Sequence, residues 1–361
     1  TLNEQPQNIA EVTNQRDVAF ATENLTVYGE SLLTLQKDSE FGKVLYAGIE
    51  DAFDGERNVL FKTLLQEDKN PIQARKLSSE LLSSKEGIMN AFSNIEGRNY
   101  YPQVFIPFYD ELKASGKLSI KDPVLVIYTI DSPNSVYQGY LLGSNGGLIK
   151  TQMVSEAYAK ENEVWVISIN ERVDSEGNLI DAYVKDTGSR TQGVAYPNAR
   201  FATMKIDSHK EEWVAGASEV HIKRYLSFFW FDQYSSTPVA GNVTSEDVPN
   251  DGDGWRIKEV KRKDVGKTLT INWTYISNWP DKNYVFDFGP VHTNYFYYVV
   301  FEYDAWPTGL RNAYIPDAGV SGNTIYTCYR SADTYYKMDY IPESAADGWS
   351  SSSGFHFTSQ F

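Results

Sequence analysis

The first hundred residues carry apolar side chains at helical spacing. Val18, Leu25 and Leu32 repeat every seven residues, and Pro71 precedes another amphipathic segment. Such short amphipathic helices cannot bury their apolar stripes alone and must pack against each other or against a sheet. We therefore predict a helical bundle domain over residues 1–98. Further helical segments are indicated at residues 41–53, 59–64, 71–82 and 88–95.

From residue 99 onward the pattern becomes typical of strands. Residues 123–130 form a short β-branched apolar run, and residues 163–170 alternate between apolar and polar side chains. A polar turn at residues 174–178 predicts a hairpin. These features indicate a β-rich middle region over residues 99–200, with residues 188–198 as a linker.

The C-terminal part is predicted to consist almost entirely of strands. Clusters of Asp, Asn and Gly separate the strands at the spacing of an all-β sandwich or barrel. We predict an antiparallel β-sandwich, C2-like or jelly-roll-like, over residues 201–361, and an α+β fold class for the whole chain. The clearest strands are residues 218–231, 255–261, 268–276, 295–303, 324–329 and 354–361.

Charge and composition narrow the class of partner and the compartment. The 361 residues include 33 Lys and Arg against 48 Asp and Glu, a net charge of -15, which argues against nucleic acid as a partner. No apolar run approaches the roughly 20 residues of a membrane helix. Cys328 is the single cysteine, so no intrachain disulfide can form. The first residues lack Met and a basic, apolar leader, which predicts an exported bacterial chain, secreted or at the cell surface or periplasm, after removal of its signal peptide.

One acidic loop is the leading metal candidate. Asp247, Asn250, Asp251 and Asp253 alternate with glycines, and Asp304 follows a long apolar strand whose end could share the loop's edge. Carboxylate and amide oxygens on a flexible loop suit Ca²⁺, which takes six to eight oxygen ligands. An ordinary Asp, Asn and Gly turn between strands is the alternative.

The sequence gives weaker indications of a zinc site or a serine nucleophile. The chain has four His and no H-E-x-x-H pattern, and the nearest approach to a nucleophile elbow, at Ser218, lacks the second glycine. His209, Glu211 and Glu212 could supply one ligand and one base, but the sequence favours solvated polar residues before a strand.

Aromatic side chains suggest a binding surface. Trp273, Tyr275 and Trp279 lie close together in the chain beside Asn and Asp residues, and Trp306 belongs to the same aromatic-rich region. Sugar rings stack on exposed aromatic rings while neighbouring polar groups bind their hydroxyls. Packing of these aromatics between two sheets is the alternative.

Three stretches carry a resemblance to a protein family. The pattern W-x-x-G-x-S-E-V-x-I at residues 213–222, together with residues 101–112 and 158–172, resembles exported proteins of unassigned function from marine Gram-negative bacteria and Bacteroidota. Those proteins have a helical N-terminal segment before a β-rich C-terminal part. The resemblance covers most of the chain and implies export and a terminal β domain, but no activity.

The sequence therefore predicts an exported binding protein with a calcium-stabilised β-sandwich that recognises a glycan or another surface polymer. The alternative is a secreted hydrolase that uses acidic residues, with or without a metal-bound water. A membrane-inserting toxin is a third reading, but it would need an amphipathic hairpin that does not stand out.

Overall fold

The computed structural model divides the chain into two compact units. Unit 1 comprises Thr1–Thr187 and Glu212–Gly216, and unit 2 comprises Gly188–Glu211 and Ala217–Phe361. The structure describes residues 7–84, 91–93, 99–119, 122–179, 199–227, 230–231, 238–239, 243–244, 255–276, 285–286, 289–290, 295–303, 310–316, 324–330, 334–342 and 354–360.

The helices of unit 1 begin and end where local chemistry dictates. Asp38 caps the second helix, because its Oδ1 accepts hydrogen bonds from the backbone N–H groups of Glu40 and Phe41. That helix ends at Ala52, which adopts a left-handed conformation. Pro71 opens the fourth helix, as predicted. The helices are α1 (Gln7–Leu35), α2 (Ser39–Asp51), α3 (Phe61–Leu64), α4 (Pro71–Ser84), α5 (Tyr109–Ala114) and α6 (Glu156–Ala159).

A six-stranded mixed sheet forms the centre of unit 1. Its strand order is β1-β4-β8-β5-β6-β7, and only β5 and β8 are parallel neighbours. A separate pair, β2 and β3, is antiparallel. The strands are β1 (Asn58–Leu60), β2 (Phe92–Ser93), β3 (Asn99–Tyr100), β4 (Pro102–Phe105), β5 (Val124–Ile127), β6 (Val136–Leu142), β7 (Leu148–Ser155) and β8 (Val164–Ile169).

Helix α1 packs closely on the sheet. A methyl group at Gly29 would lie 2.6 Å from the side chain of Leu125 on β5, so glycine permits the close approach. All six residues of β8 are buried, although their sequence alternates like that of a half-exposed strand. Because alternate side chains of a strand point to opposite faces, burial of all six residues means that both faces of the sheet are covered at β8.

Two of the helices predicted within the first hundred residues are partly β-strand in the structure. The segment predicted at 59–64 begins as β1, because its backbone pairs with β4, and becomes helical only at Phe61. Within the segment predicted at 88–95, Phe92–Ser93 is a strand. Residues of the predicted helical segment 1–98 and of the predicted middle region 99–200 thus contribute to one sheet.

Unit 2 is built from antiparallel strands. Strand β10 pairs with β18 on one side and with β14 and β13 on the other, and β18 pairs with β21. A three-stranded sheet has the order β15-β9-β22, and six of the other described strands form three two-stranded sheets. The strands are β9 (Ala199–Ile206), β10 (Ser218–Ser227), β11 (Trp230–Phe231), β12 (Pro238–Val239), β13 (Val243–Thr244), β14 (Trp255–Val260), β15 (Leu269–Ile276), β16 (Val285–Phe286), β17 (Gly289–Pro290), β18 (Tyr295–Glu302), β19 (Leu310–Pro316), β20 (Thr324–Arg330), β21 (Thr334–Pro342) and β22 (Phe355–Gln360).

The core of unit 2 draws on both of its larger sheets. Met204 and Phe355 come from the three-stranded sheet, and Val220, Ile222 and Val300 from the five-stranded sheet. The mixed α+β class predicted from the sequence is therefore present. Within the described ranges, no helix is both long and apolar enough to cross a membrane.

Candidate metal centre

Most of the site residues predicted from the sequence lie outside the described residues. This holds for the metal candidates Asp247, Asn250, Asp251, Asp253 and Asp304, for Trp279 and Trp306, and for the linker at 188–198. Trp273 and Tyr275 lie on β15, where the backbone is described. The loop and the aromatic surface therefore stay predictions.

A different acidic group assembles in unit 2. Glu211, Glu219 and Glu302 place a carboxylate oxygen each so that the three atoms lie within 4.8 Å of one another. Their exposed fractions are 8%, 6% and 1%. In the part of the chain that the structure describes, this is the one group of His, Cys, Asp or Glu side chains that meets the spacing of a metal site.

Strand pairing brings two of these glutamates together. Val220 on β10 lies opposite Glu302 at the end of β18, and the backbone N–H of Tyr303 donates to the carbonyl oxygen of Glu219. The N–H of Glu219 also donates to Oε1 of Glu302, at 3.1 Å. Residues 83 positions apart thus meet through the β10–β18 ladder.

The third glutamate is positioned by contacts to its backbone. Glu211 lies in the segment between β9 and β10, and its carbonyl oxygen is 2.9 Å from Nδ1 of His209. The guanidinium of Arg262 donates to the same carbonyl oxygen. The other ring nitrogen of His209 accepts from the N–H of Ser218 at 3.2 Å and lies 3.0 Å from the carbonyl oxygen of Val260. These contacts fix the main chain from which the Glu211 side chain projects.

The negative charge of this group affects the pKa of a tyrosine in a buried pair of hydroxyl groups. The hydroxyls of Ser218 and Tyr336 are 2.5 Å apart, and both side chains are buried. Burial raises the pKa of Tyr336, and the charges of Glu302 and Glu211 also raise it, while the hydrogen bond to Ser218 acts in the opposite direction. The phenol therefore stays neutral through the physiological pH range.

The donor set fits a hard cation. Carboxylate oxygens are the preferred ligands of Ca²⁺, Mg²⁺ and Mn²⁺, whereas Zn²⁺ usually takes His or Cys ligands. Three buried carboxylates with oxygens this close also repel one another unless positive charge compensates them. The group can hold a cation, but its burial leaves little room for a polymeric substrate.

Sequence reasoning missed two members of this group and misjudged the third. The prediction that His209, Glu211 and Glu212 are solvated is wrong for Glu211, which is buried. The sequence pattern did not indicate Glu219, because this residue alternates with the core residues Val220 and Ile222, as a solvent-facing residue would. One signal was available for Glu302, since a charged residue at the end of a long apolar strand is unusual.

Comparison with known proteins identifies no relative. No protein-family model, no curated protein and no solved structure matches the chain. The resemblance to exported bacterial proteins therefore stays a prediction.

Proposed function

We propose that this chain is an exported, non-enzymatic binding protein whose C-terminal unit is stabilised by a divalent cation of the Ca²⁺ type. The observation that supports it is the buried group of Glu211, Glu219 and Glu302, with ligand oxygens within 4.8 Å of one another. The predicted loop at 247–254 with Asp304 is the alternative location for the cation.

The chemistry of the donors supports a divalent ion. Ca²⁺ and Mg²⁺ bind mainly oxygen ligands in proteins, and this group offers three carboxylates. Glu211 and Glu219 lie eight residues apart and Glu302 lies 83 residues beyond Glu219, so the ion would link distant parts of the folded chain. Its binding free energy would add to the stability of unit 2.

The hydrolase alternative finds less support. A glycosidase needs two carboxyl groups that a sugar can approach from opposite sides. The closely spaced carboxyl groups of Glu211, Glu219 and Glu302 are at most 8% exposed. A small ion can reach such a group, but a polymer needs an open cleft.

The partner class and the finer architecture belong to the same proposal. Tyr297 on β18 lies opposite Tyr225 on β10 and Tyr340 on β21, so three neighbouring strands carry tyrosine at one register level. Such a row, together with Trp273 on β15, is consistent with binding of a glycan or another surface polymer. We also propose that the two larger sheets of unit 2 form an antiparallel sandwich over their shared core, and that helices α1 to α4 form a bundle. A glycan array probed with the full chain tests the partner class.

Thermal unfolding in chelator and in excess calcium tests the cation. A cation that binds only the folded chain adds about 2.7 kcal/mol at one hundred times its Kd, which raises Tm by several degrees. Glu302→Gln removes one carboxylate from the group and keeps a side-chain oxygen that can accept from the N–H of Glu219. In calcium, it should lose most of the increase. Asp264→Asn is the matched control, since that side chain in unit 2 bonds Lys267 and lies outside the group.

Two outcomes would contradict the assignment. If calcium does not raise Tm of the parent chain, the cation proposal is wrong. If Asp251→Ala combined with Asp253→Ala abolishes the calcium response while Glu302→Gln retains it, the cation binds the predicted loop and not the buried glutamates.

A further inference from the structure

Unit 1 is not one continuous stretch of chain. It consists of Thr1–Thr187 and, after an interval that belongs to unit 2, the five residues Glu212–Gly216. We infer that Glu212–Gly216 is a strap that completes the core of unit 1, and that the turn at residues 132–135 is the catch that holds it. This inference is independent of the cation proposal.

The strap contributes core side chains. Trp213 is 2% exposed and Val214 is fully buried, and both belong to the cluster that contains Val124 and Val126 of β5. The indole of Trp213 meets the ring of Tyr137 edge-on, with ring centroids 5.6 Å apart. The strap is therefore part of the hydrophobic core rather than a surface connection.

The strap has a conformation of its own. The N–H of Ala215 donates to the carbonyl oxygen of Glu212, which closes a tight turn. Gly216 has φ +112, which side-chain-bearing residues rarely adopt, and an added Cβ would lie 3.4 Å from the side chain of Glu56. The chain can thus leave the core directly after Val214.

The catch holds a strained backbone. Asn134 and Ser135 both have positive φ, 69° and 53°, and neither is glycine. Such residues persist where the surrounding structure determines them, and they often mark a site with a purpose. Within the turn, the N–H of Ser135 donates to the carbonyl oxygen of Ser132, and the hydroxyl of Ser132 donates to the carbonyl oxygen of Val136.

The strap makes two hydrogen bonds to the catch. Nε1–H of Trp213 donates to the carbonyl oxygen of Ser135 at 2.9 Å, and the hydroxyl of Ser135 donates to Oε1 of Glu212 at 2.8 Å. The strap therefore bonds to the carbonyl oxygen and to the hydroxyl of a residue whose backbone is left-handed. Docking of the strap and the strained conformation of the catch stabilise each other, and this coupling must be reciprocal.

The arrangement also sets an order of events. Residues 132–135 are made well before residue 212, so during synthesis the core of unit 1 can close only after the strap emerges. Until then, the apolar surface that Trp213 and Val214 cover is open, and the catch lacks its two hydrogen bonds to the strap.

Hydrogen exchange on the full chain tests the inference. Trp213→Phe keeps an aromatic ring in the core but removes the N–H that Ser135 accepts. We expect amide exchange in peptides covering residues 128–142 to rise by about fivefold to tenfold, as for loss of one buried hydrogen bond. Trp165→Phe is the matched control, because it removes a buried indole N–H, bonded to Glu163, from the same unit. This control should raise exchange in residues 128–142 clearly less than Trp213→Phe does, because the indole N–H of Trp165 donates to Glu163 and not to the turn at 132–135.

A milder variant keeps the inference testable if Trp213→Phe does not fold. Ser135→Ala removes the bond to Glu212 and retains the carbonyl oxygen that accepts from Trp213. Exchange in the peptide that covers Glu212–Gly216 should then rise about threefold or more. Unchanged exchange in that peptide, or an equal response of residues 128–142 to Trp165→Phe, would overturn the inference.

Discussion

A single buried carboxylate shows how residue-level chemistry supports unit 1. Glu163 is 6% exposed and accepts hydrogen bonds from the hydroxyl of Tyr46, from Nε1 of Trp165 and from the N–H of Ser119. Burial, followed by the charge of Glu163, raises the pKa of Tyr46 above its ordinary value. The phenol is thus held as a neutral donor, which a buried carboxylate requires.

Removing that donor should destabilise the fold. Tyr46→Phe leaves the Glu163 carboxylate with one hydrogen bond fewer, and we expect a loss of about 1–3 kcal/mol in the free energy of unfolding. Urea unfolding at pH 7 measures it. Tyr128→Phe is the control, because that hydroxyl donates to the exposed Asp131 and its loss should cost less. Equal losses in the two variants would mean that burial of the carboxylate does not determine how much free energy of unfolding is lost with the hydrogen bond.

At the level of elements, the last strand is held by a pH-sensitive contact. Strand β22 pairs only with β9 among the described strands. Asp207, which follows β9, accepts from Nε2 of His356 at 2.6 Å, from the N–H of Gly354 and from Lys205. The hydrogen bond from His356 lowers the pKa of Asp207 to about 2, and Lys205 and the Gly354 N–H also lower it.

The sign of the pH dependence follows from that lowered pKa. Because folding favours the ionised form of Asp207, its contribution is present above the ordinary aspartate value and is lost as pH falls through about 2. Asp207→Asn should therefore lower Tm by on the order of 1–2 °C at pH 6, a small effect because the pair is partly exposed. Melting curves of parent and variant should converge as pH approaches 2. A difference that stays constant down to that pH would contradict this account of the contact.

Elements were easier to predict than the contacts between them. Periodicity located α4 from Pro71 and most of the long strands of unit 2, because these patterns depend on residues close in the chain. It misassigned residues 59–60, since only pairing with β4 makes them a strand. It also could not bring Glu211, Glu219 and Glu302 together, because register between distant strands is a tertiary property.

At the scale of the whole molecule, a core residue of unit 1 lies beyond the end of that unit's continuous chain. Trp213 is buried among side chains of β5, β6 and β8, although residues 188–211 before it belong to unit 2. A sequence-based boundary cannot show this, because domain limits are inferred from contiguous stretches. The stability of unit 1 should therefore depend on Trp213, a residue that a division of the chain into contiguous domains would assign to a different domain.

Truncation of that side chain should be among the most damaging changes for unit 1. Trp213→Ala removes a fully packed indole and its bond to Ser135, and we expect unit 1 to lose about 3–5 kcal/mol. Exchange of the slowest amides in β5 and β8, followed in increasing urea, measures the loss within unit 1. Ile149→Ala on β7 is the control in the same sheet, because its side chain is 51% exposed and should change stability little. If protection of β5 and β8 survives Trp213→Ala, then unit 1 closes its core without Glu212–Gly216, and the division of the chain into a discontinuous unit 1 has no energetic meaning.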